Sequence, residues 1–191
     1  MRTLLGVKYA SMPSMFSRPR FRADRRKIVP TAVALYREMG EAMAAGDRDT
    51  LKEICVPSLF HQLTASIDKR NPKTGQRYLI TEQKQSRQYP RLTAMNITGL
   101  SSNQNFQQAT VAIYNTVELQ RFNKETGEVL DRKVQSKIEY VVINRKIHTQ
   151  TYETTPWKLW GTRGPTTMED WRKELLFVNK GIALQAQGRR L

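Results

Sequence analysis

The sequence predicts an α+β fold: a curved antiparallel sheet covered by N-terminal helices, with a basic arm in front and a helix behind. Three observations predict it. Apolar residues recur at helical spacing early in the chain, at Ala32, Leu35, Met39 and Ala42 or Met43. Period-two alternation fills the middle, with Ala109, Val111, Ile113, Val117 and Leu119 set against Thr110, Thr116, Glu118 and Gln120. A turn-forming stretch, Asn123-Lys124-Glu125-Thr126-Gly127, then joins this run to a second one.

Residues 1–29 read as a basic extended arm. Up to Lys27 it carries eight basic residues against one acid, Asp24. Arg-rich, Ser-rich and acid-poor is also the composition of a mitochondrial transit peptide. Pro13 and Pro19 interrupt any continuous helix, and the segment reads as a retained arm that orders on a partner.

Residues 30–165 read as the folded domain. Pro30 opens the first helix, where its missing N–H does no harm, and Gly46 ends it. Asp47 caps a second helix carrying Leu51, Ile54 and Cys55. Pro57 starts a third, with Leu59, Phe60, Leu63 and Ile67 inward. Asn71 to Gly75 is a turn. The alternation from Tyr78 to Gln85 is too poor to separate strand from short helix. Arg91 to Leu100 reads as a strand with Leu92, Ala94 and Asn96 on one face and Thr93, Met95 and Ile97 on the other. The return strand of the hairpin places Val134, Ile138, Tyr140 and Val142 opposite Gln135, Lys137 and Glu139; near Val141 and Ile143 both faces are apolar, as in a strand covered on both sides. A last strand puts Trp157 and Leu159 on one face, as structural residues closing the sheet. The expected interior is filled by Val111, Ile113, Val134, Ile138 and the helices. Residues 166–191 read as a C-terminal helix, with Trp171, Leu175, Val178 and Ile182 in a stripe, and a basic tail.

Little in the sequence points to catalysis. His61 and His148 lie far apart, in elements of different type. Cys55 is the only cysteine, which excludes an internal disulfide and any cysteine-rich metal site. Gly161 and Gly164 lack the Lys and Ser or Thr of a phosphate loop. Asp68, Glu82 and Glu139 read as solvated carboxylates. No cofactor, metal or small-molecule substrate is expected, and the chain is expected not to be an enzyme. No apolar run is long enough to span a bilayer.

Charge is the informative property. The formal net charge of +15 favours a polyanionic partner, nucleic acid or an acidic lipid surface. In the arm, Arg18, Arg20, Arg22, Arg25, Arg26 and Lys27 are spaced to neutralise phosphates while Phe21 stacks. Arginine in preference to lysine suits phosphate contact. Arg172, Lys173, Arg189 and Arg190 are candidate contacts for a membrane or a protein partner.

The hairpin ATVAIYNTVELQRFNKETGEVLDRKVQSKIEYVVINRK followed by PWKLWGT resembles the family that shares the C-terminal domain of the peripheral subunit anchoring the import motor at the mitochondrial inner-membrane translocase. The resemblance covers about Pro30 to Thr162. It implies a nuclear-transport-factor-two-like cone of α+β type. The import-motor branch carries a long charged helical extension before this domain, where this chain has a short arm. The resemblance is therefore nearer to the ribosomal branch: the mitochondrial large-subunit ribosomal protein numbered forty-five and the fungal inner-membrane ribosome receptor. That implies a place near the polypeptide exit of the large subunit, on the matrix side. The implied partners are mitochondrial rRNA, large-subunit proteins, and an anionic inner-membrane surface or insertase, with a role in docking the ribosome for nascent-chain insertion. The alternatives are an import-motor anchor domain and, because such cones often hold a pocket, a ligand-binding or enzymatic protein.

Overall fold

The computed structural model describes residues 4–13, 17–83, 88–99 and 104–165. Among these described residues, four helices precede five strands: α1 (Leu4–Ala10), α2 (Arg25–Ala45), α3 (Arg48–Ile54), α4 (Pro57–Asp68), β1 (Thr74–Gln83), β2 (Arg91–Gly99), β3 (Gln104–Asn123), β4 (Val129–His148) and β5 (Lys158–Arg163). The segment from Tyr78 that the sequence leaves undecided is strand.

The two 20-residue strands β3 and β4 form the spine of an antiparallel, unclosed sheet. β1 and β2 both pair with the free edge of β3, β1 along Asn115–Asn123 and β2 along Asn105–Ala112, and β5 pairs with β4 at Tyr140–Asn144. The hairpin turn closes with Gly127 N–H donating to the Asn123 carbonyl at 2.8 Å.

The helices cover one face, called inner here. Ala109, Val111, Ile113, Val141, Ile143 and Leu159 pack there against Ile28, Ala32, Tyr36 and Leu51. This corrects the expected interior at two positions. Val111 and Ile113 do point inward. Val134 and Ile138 stand on the opposite, outer face, and Val134 is 55 % exposed. With a side-chain period of two, Val141 and Ile143 facing inward force Lys137 and Glu139 inward and the even-numbered residues outward.

β2 is also corrected. A bulge between Leu92 and Ala94 shifts the phase by one residue. Leu92 and Met95 therefore both reach the core, although simple alternation puts them on opposite faces.

Local chemistry sets the helix ends as expected at three places. Gly46 sits at φ 78° and its N–H donates to the Ala42 carbonyl at 2.8 Å. The Asp47 carboxylate accepts from Asp49 N–H at 3.1 Å and Thr50 N–H at 3.2 Å. Pro57 is at the first turn of α4. The start of α2 differs: it begins at Arg25, with Pro30 inside. A proline there forgoes one helical hydrogen bond, but the earlier turn delivers Ile28, wholly buried, to the core. Gly40 faces the Tyr78 ring so closely that an added Cβ would lie 2.4 Å from it. Absence of a side chain at Gly40 lets α2 lie directly on β1.

Candidate nucleic-acid interface

The basic segment expected to be extended is fastened to the domain. Val7 on α1 and Phe21 are buried in a second apolar cluster with Ile97 of β2 and Ile147 of β4. Ser11 ties the fold-back together. Its hydroxyl donates to the Lys8 carbonyl at 2.7 Å and accepts the Phe21 N–H at 3.2 Å, while its carbonyl accepts Arg20 N–H at 3.2 Å. Tyr152 beyond β4 donates its hydroxyl to the Ala10 carbonyl at 2.7 Å.

Phe21 is 2 % exposed, so its ring is not available to stack on a base, and the expected role is corrected. An aromatic ring of that size gains more by leaving water against Ile97 and Ile147 than by staying exposed on an arm. Burying it turns the flanking chain outward. Arg18, Arg20, Arg22, Arg25, Arg26 and Lys27 are all exposed. They form a positioned strip, held at Phe21 and at α2, in place of a free tail.

Arg145 is the residue the sequence reading missed. It lies on the inner face of β4, buried, in the series Val141, Ile143, Arg145, Ile147. Its Nε donates to Gln107 Oε1 at 2.7 Å, Nη1 to Thr154 Oγ1 at 3.3 Å and Nη2 to the Arg22 carbonyl at 3.2 Å. The guanidinium also lies 4.6 Å from the centre of the Trp157 ring. Burial pulls Arg145 below the usual guanidinium value, and the charge of Asp24 opposes that shift. Arg145 thus clasps the backbone of the basic strip to the sheet. The available signal was one arginine interrupting the apolar run Val141, Ile143, Ile147.

The start of α2 is electrostatically costly. Arg25, Arg26 and Lys27 occupy its first turn, which holds no acid, and Asp24 at the N-cap makes no side-chain capping bond. Cations at the positive end of a helix are each unfavourable by about 0.3–1 kcal/mol at an exposed site. Fold stability alone gives no reason for three of them there. A polyanion lying over this turn would reverse the sign of the interaction.

The carboxylates grouped by the sequence reading have separate roles. Asp68 pairs with Arg48 on the surface. Glu139 accepts from the Tyr36 hydroxyl and pairs with Lys137 Nζ at 2.6 Å, on the inner face beyond the apolar core. Burial, with the Glu139 contact second, pushes the Tyr36 phenol well above its ordinary range. Glu82 carries no described side chain. Burial pushes the Cys55 thiol up to about 11. His61 is exposed on α4, and His148 Nδ1 accepts two turn N–H groups, from Gln150 and Thr151. Trp157 packs against the main core and Leu159 lies inside it. Arg172, Lys173, Arg189 and Arg190, with the stripe Trp171 to Ile182, lie outside the described residues.

Comparison with known proteins adds the following. The profile of the Tim44-like domain matches residues 9–164. Among solved structures, the intermembrane space region of the chloroplast protein ARC6 superposes with a TM-score of 0.45 at 10 % identity, over 75 % of this chain and 97 % of that one. No curated protein matches the chain. The Tim44-like family is associated with the mitochondrial inner membrane. Among the described residues no helix is long and apolar enough to cross a membrane.

Proposed function

Because the chain belongs to the Tim44-like domain family, we propose that it works as a docking protein at the matrix face of the mitochondrial inner membrane. In this reading it is a non-catalytic component of the large ribosomal subunit near the polypeptide exit. It binds rRNA and helps hold the ribosome at the membrane, peripherally, for nascent-chain insertion. The observation that carries the reading is the fastened strip from Arg18 to Lys27, six exposed cations around one buried anchor. A preordered cationic edge loses little entropy on binding phosphates.

The family match supports a second reading equally well, the anchor domain of the import motor. The two differ in the partner that is retained.

One experiment addresses both. Full-length protein and a variant with Arg18, Arg20, Arg22 and Arg26 changed to Ala are titrated against mitochondrial large subunits at several salt concentrations. The variant keeps Phe21 and therefore the fold. Its affinity is expected to fall, and the salt slope to flatten by roughly 0.7–0.9 for each phosphate that is no longer neutralised. Equal affinity and slope for both proteins remove the ribosomal reading. Co-isolation with the translocase in place of large subunits selects the import-motor reading.

A further inference from the structure

We propose that the outer face of the sheet, across β2, β3, β4 and β5, is a binding platform for single-stranded RNA. It is separate from the basic strip and lies on the opposite side of the sheet from the helices.

The register builds the surface. Pairing of β3 with β4 sets Phe106 beside Lys146, Gln108 beside Asn144 and Ala112 beside Tyr140. Pairing of β4 with β5 sets Lys158 beside Asn144 and Arg163 beside Tyr140. A register shift between Val142 and Ile143 accommodates Trp160, which stands 53 % exposed. Three adjoining grooves, of about 670, 520 and 200 Å³, share Trp160 in their walls, and the 520 Å³ one turns over the sheet edge to Val56, Pro57 and Ser58 at the start of α4. The Phe106 and Tyr140 rows are six residues apart along β3, roughly 20 Å at about 3.3 Å per residue. Trp160 lies between them.

The chemistry selects the ligand. Among the described residues lining the three grooves, Lys146, Lys158 and Arg163 are the cations on the outer side, and there is no carboxylate. That favours an anion. Aromatic rings at separate stations offer stacking surfaces to successive bases. Gln108 and Asn144 add amide donors and acceptors suited to base edges. An acidic peptide would use the cations but brings no succession of planar bases to stack on the rings. A duplex hides its base faces within the stack and so cannot use the rings. Arg145, buried on the inner face, touches only the wall of the 520 Å³ groove where that groove turns over the sheet edge.

The inference rests on the reading of the chain as RNA-binding, but the two fail separately. The full chain is titrated with a labelled single-stranded RNA of about ten nucleotides, a duplex of equal length and poly-glutamate. Trp160→Ala is expected to weaken single-strand binding about 5- to 160-fold, with unchanged melting and unchanged salt slope; Trp160→Phe retains most of the affinity. Neutralising the strip flattens the slope and leaves the preference for single strands. Equal single-strand affinity in wild type and Trp160→Ala overturns the platform. So does a Trp160-dependent affinity for poly-glutamate that matches or exceeds the affinity for RNA, which would identify an acidic protein partner. Failure of acrylamide to quench the Trp160 contribution in the free chain also overturns it, since another part of the chain, or a second copy, would then cover the face.

Discussion

The two apolar clusters of this molecule are built in opposite ways. The main core joins α2, α3, β3, β4 and β5, and most of its members belong to stripes visible as periodicity: Ala32 with Tyr36, Val111 with Ile113, Val141 with Ile143. The second cluster has four buried members, Val7, Phe21, Ile97 and Ile147, gathered from distant parts of the chain. Two of them lie in a segment whose composition is that of a disordered polycation. A segment too polar to fold by itself is thus ordered by two apolar anchors and one buried arginine. Its charges become a surface with a shape. Among the described residues the same contrast separates the sheet faces, the inner one filled by helices and the outer one open around Trp160.

The contrast is testable by substitution. Leu159→Ala removes a fully buried side chain between α3 and β4. It is expected to give the largest global loss, about 2–5 kcal/mol in denaturant unfolding. Phe21→Ala is expected to cost about 3 kcal/mol, near the low end for a buried aromatic, because a small cluster at the edge relaxes readily. Its distinguishing signature is local: amide protection is lost around Ser11 and Phe21 while the β3–β4 ladder keeps its own. Equal loss of protection in both places would show that the arm and the main core unfold as one unit.

Tyr36→Phe sharpens the comparison inside the main core. It leaves Glu139 without its hydroxyl donor, and a hydrogen bond to a charged group contributes about 1.5–3 kcal/mol. Unfolding stability should fall within that range, whereas Lys137→Met should fall less because the Tyr36 bond remains.

The smallest effect belongs to the outer face. Arg132 forks onto Glu118, donating from Nε at 2.5 Å and from Nη2 at 2.8 Å. The fork holds the carboxylate below its ordinary value of 4.5. A depressed pKa stabilises the fold above the unfolded value, and that stabilisation is lost as pH falls through the folded value. Wild type should therefore melt slightly above Glu118→Gln at neutral pH, and the gap should close below pH 4.5. A gap that widens in acid would contradict the assignment.

Much of the architecture was legible because local chemistry dictates it. Gly46, Asp47 and Pro57 set helix ends through backbone conformation, a side-chain acceptor and a missing donor, all acting within a few residues. Alternation and the Asn123–Gly127 turn were enough to specify the hairpin. The candidate surface was only partly legible. Composition identifies Arg18 to Lys27 as cationic and exposed, but it assigns Phe21 to the wrong environment. Alternation likewise shows two faces of β4 without saying which one the helices will cover, so it places Val134 inside.

By itself, then, the sequence determined the element types, the hairpin, the helix caps and the sign of the charge, because each depends on residues close together in the chain. The tertiary structure decided the inner face of β4, the phase shift at Leu92, the burial of Phe21, the clasp of Arg145 on Arg22 and the exposure of Trp160. Each of these depends on residues brought together from far apart, as Arg22 and Arg145 are. Burial and pairing at such sites are properties of the assembled neighbours, and no local window contains them.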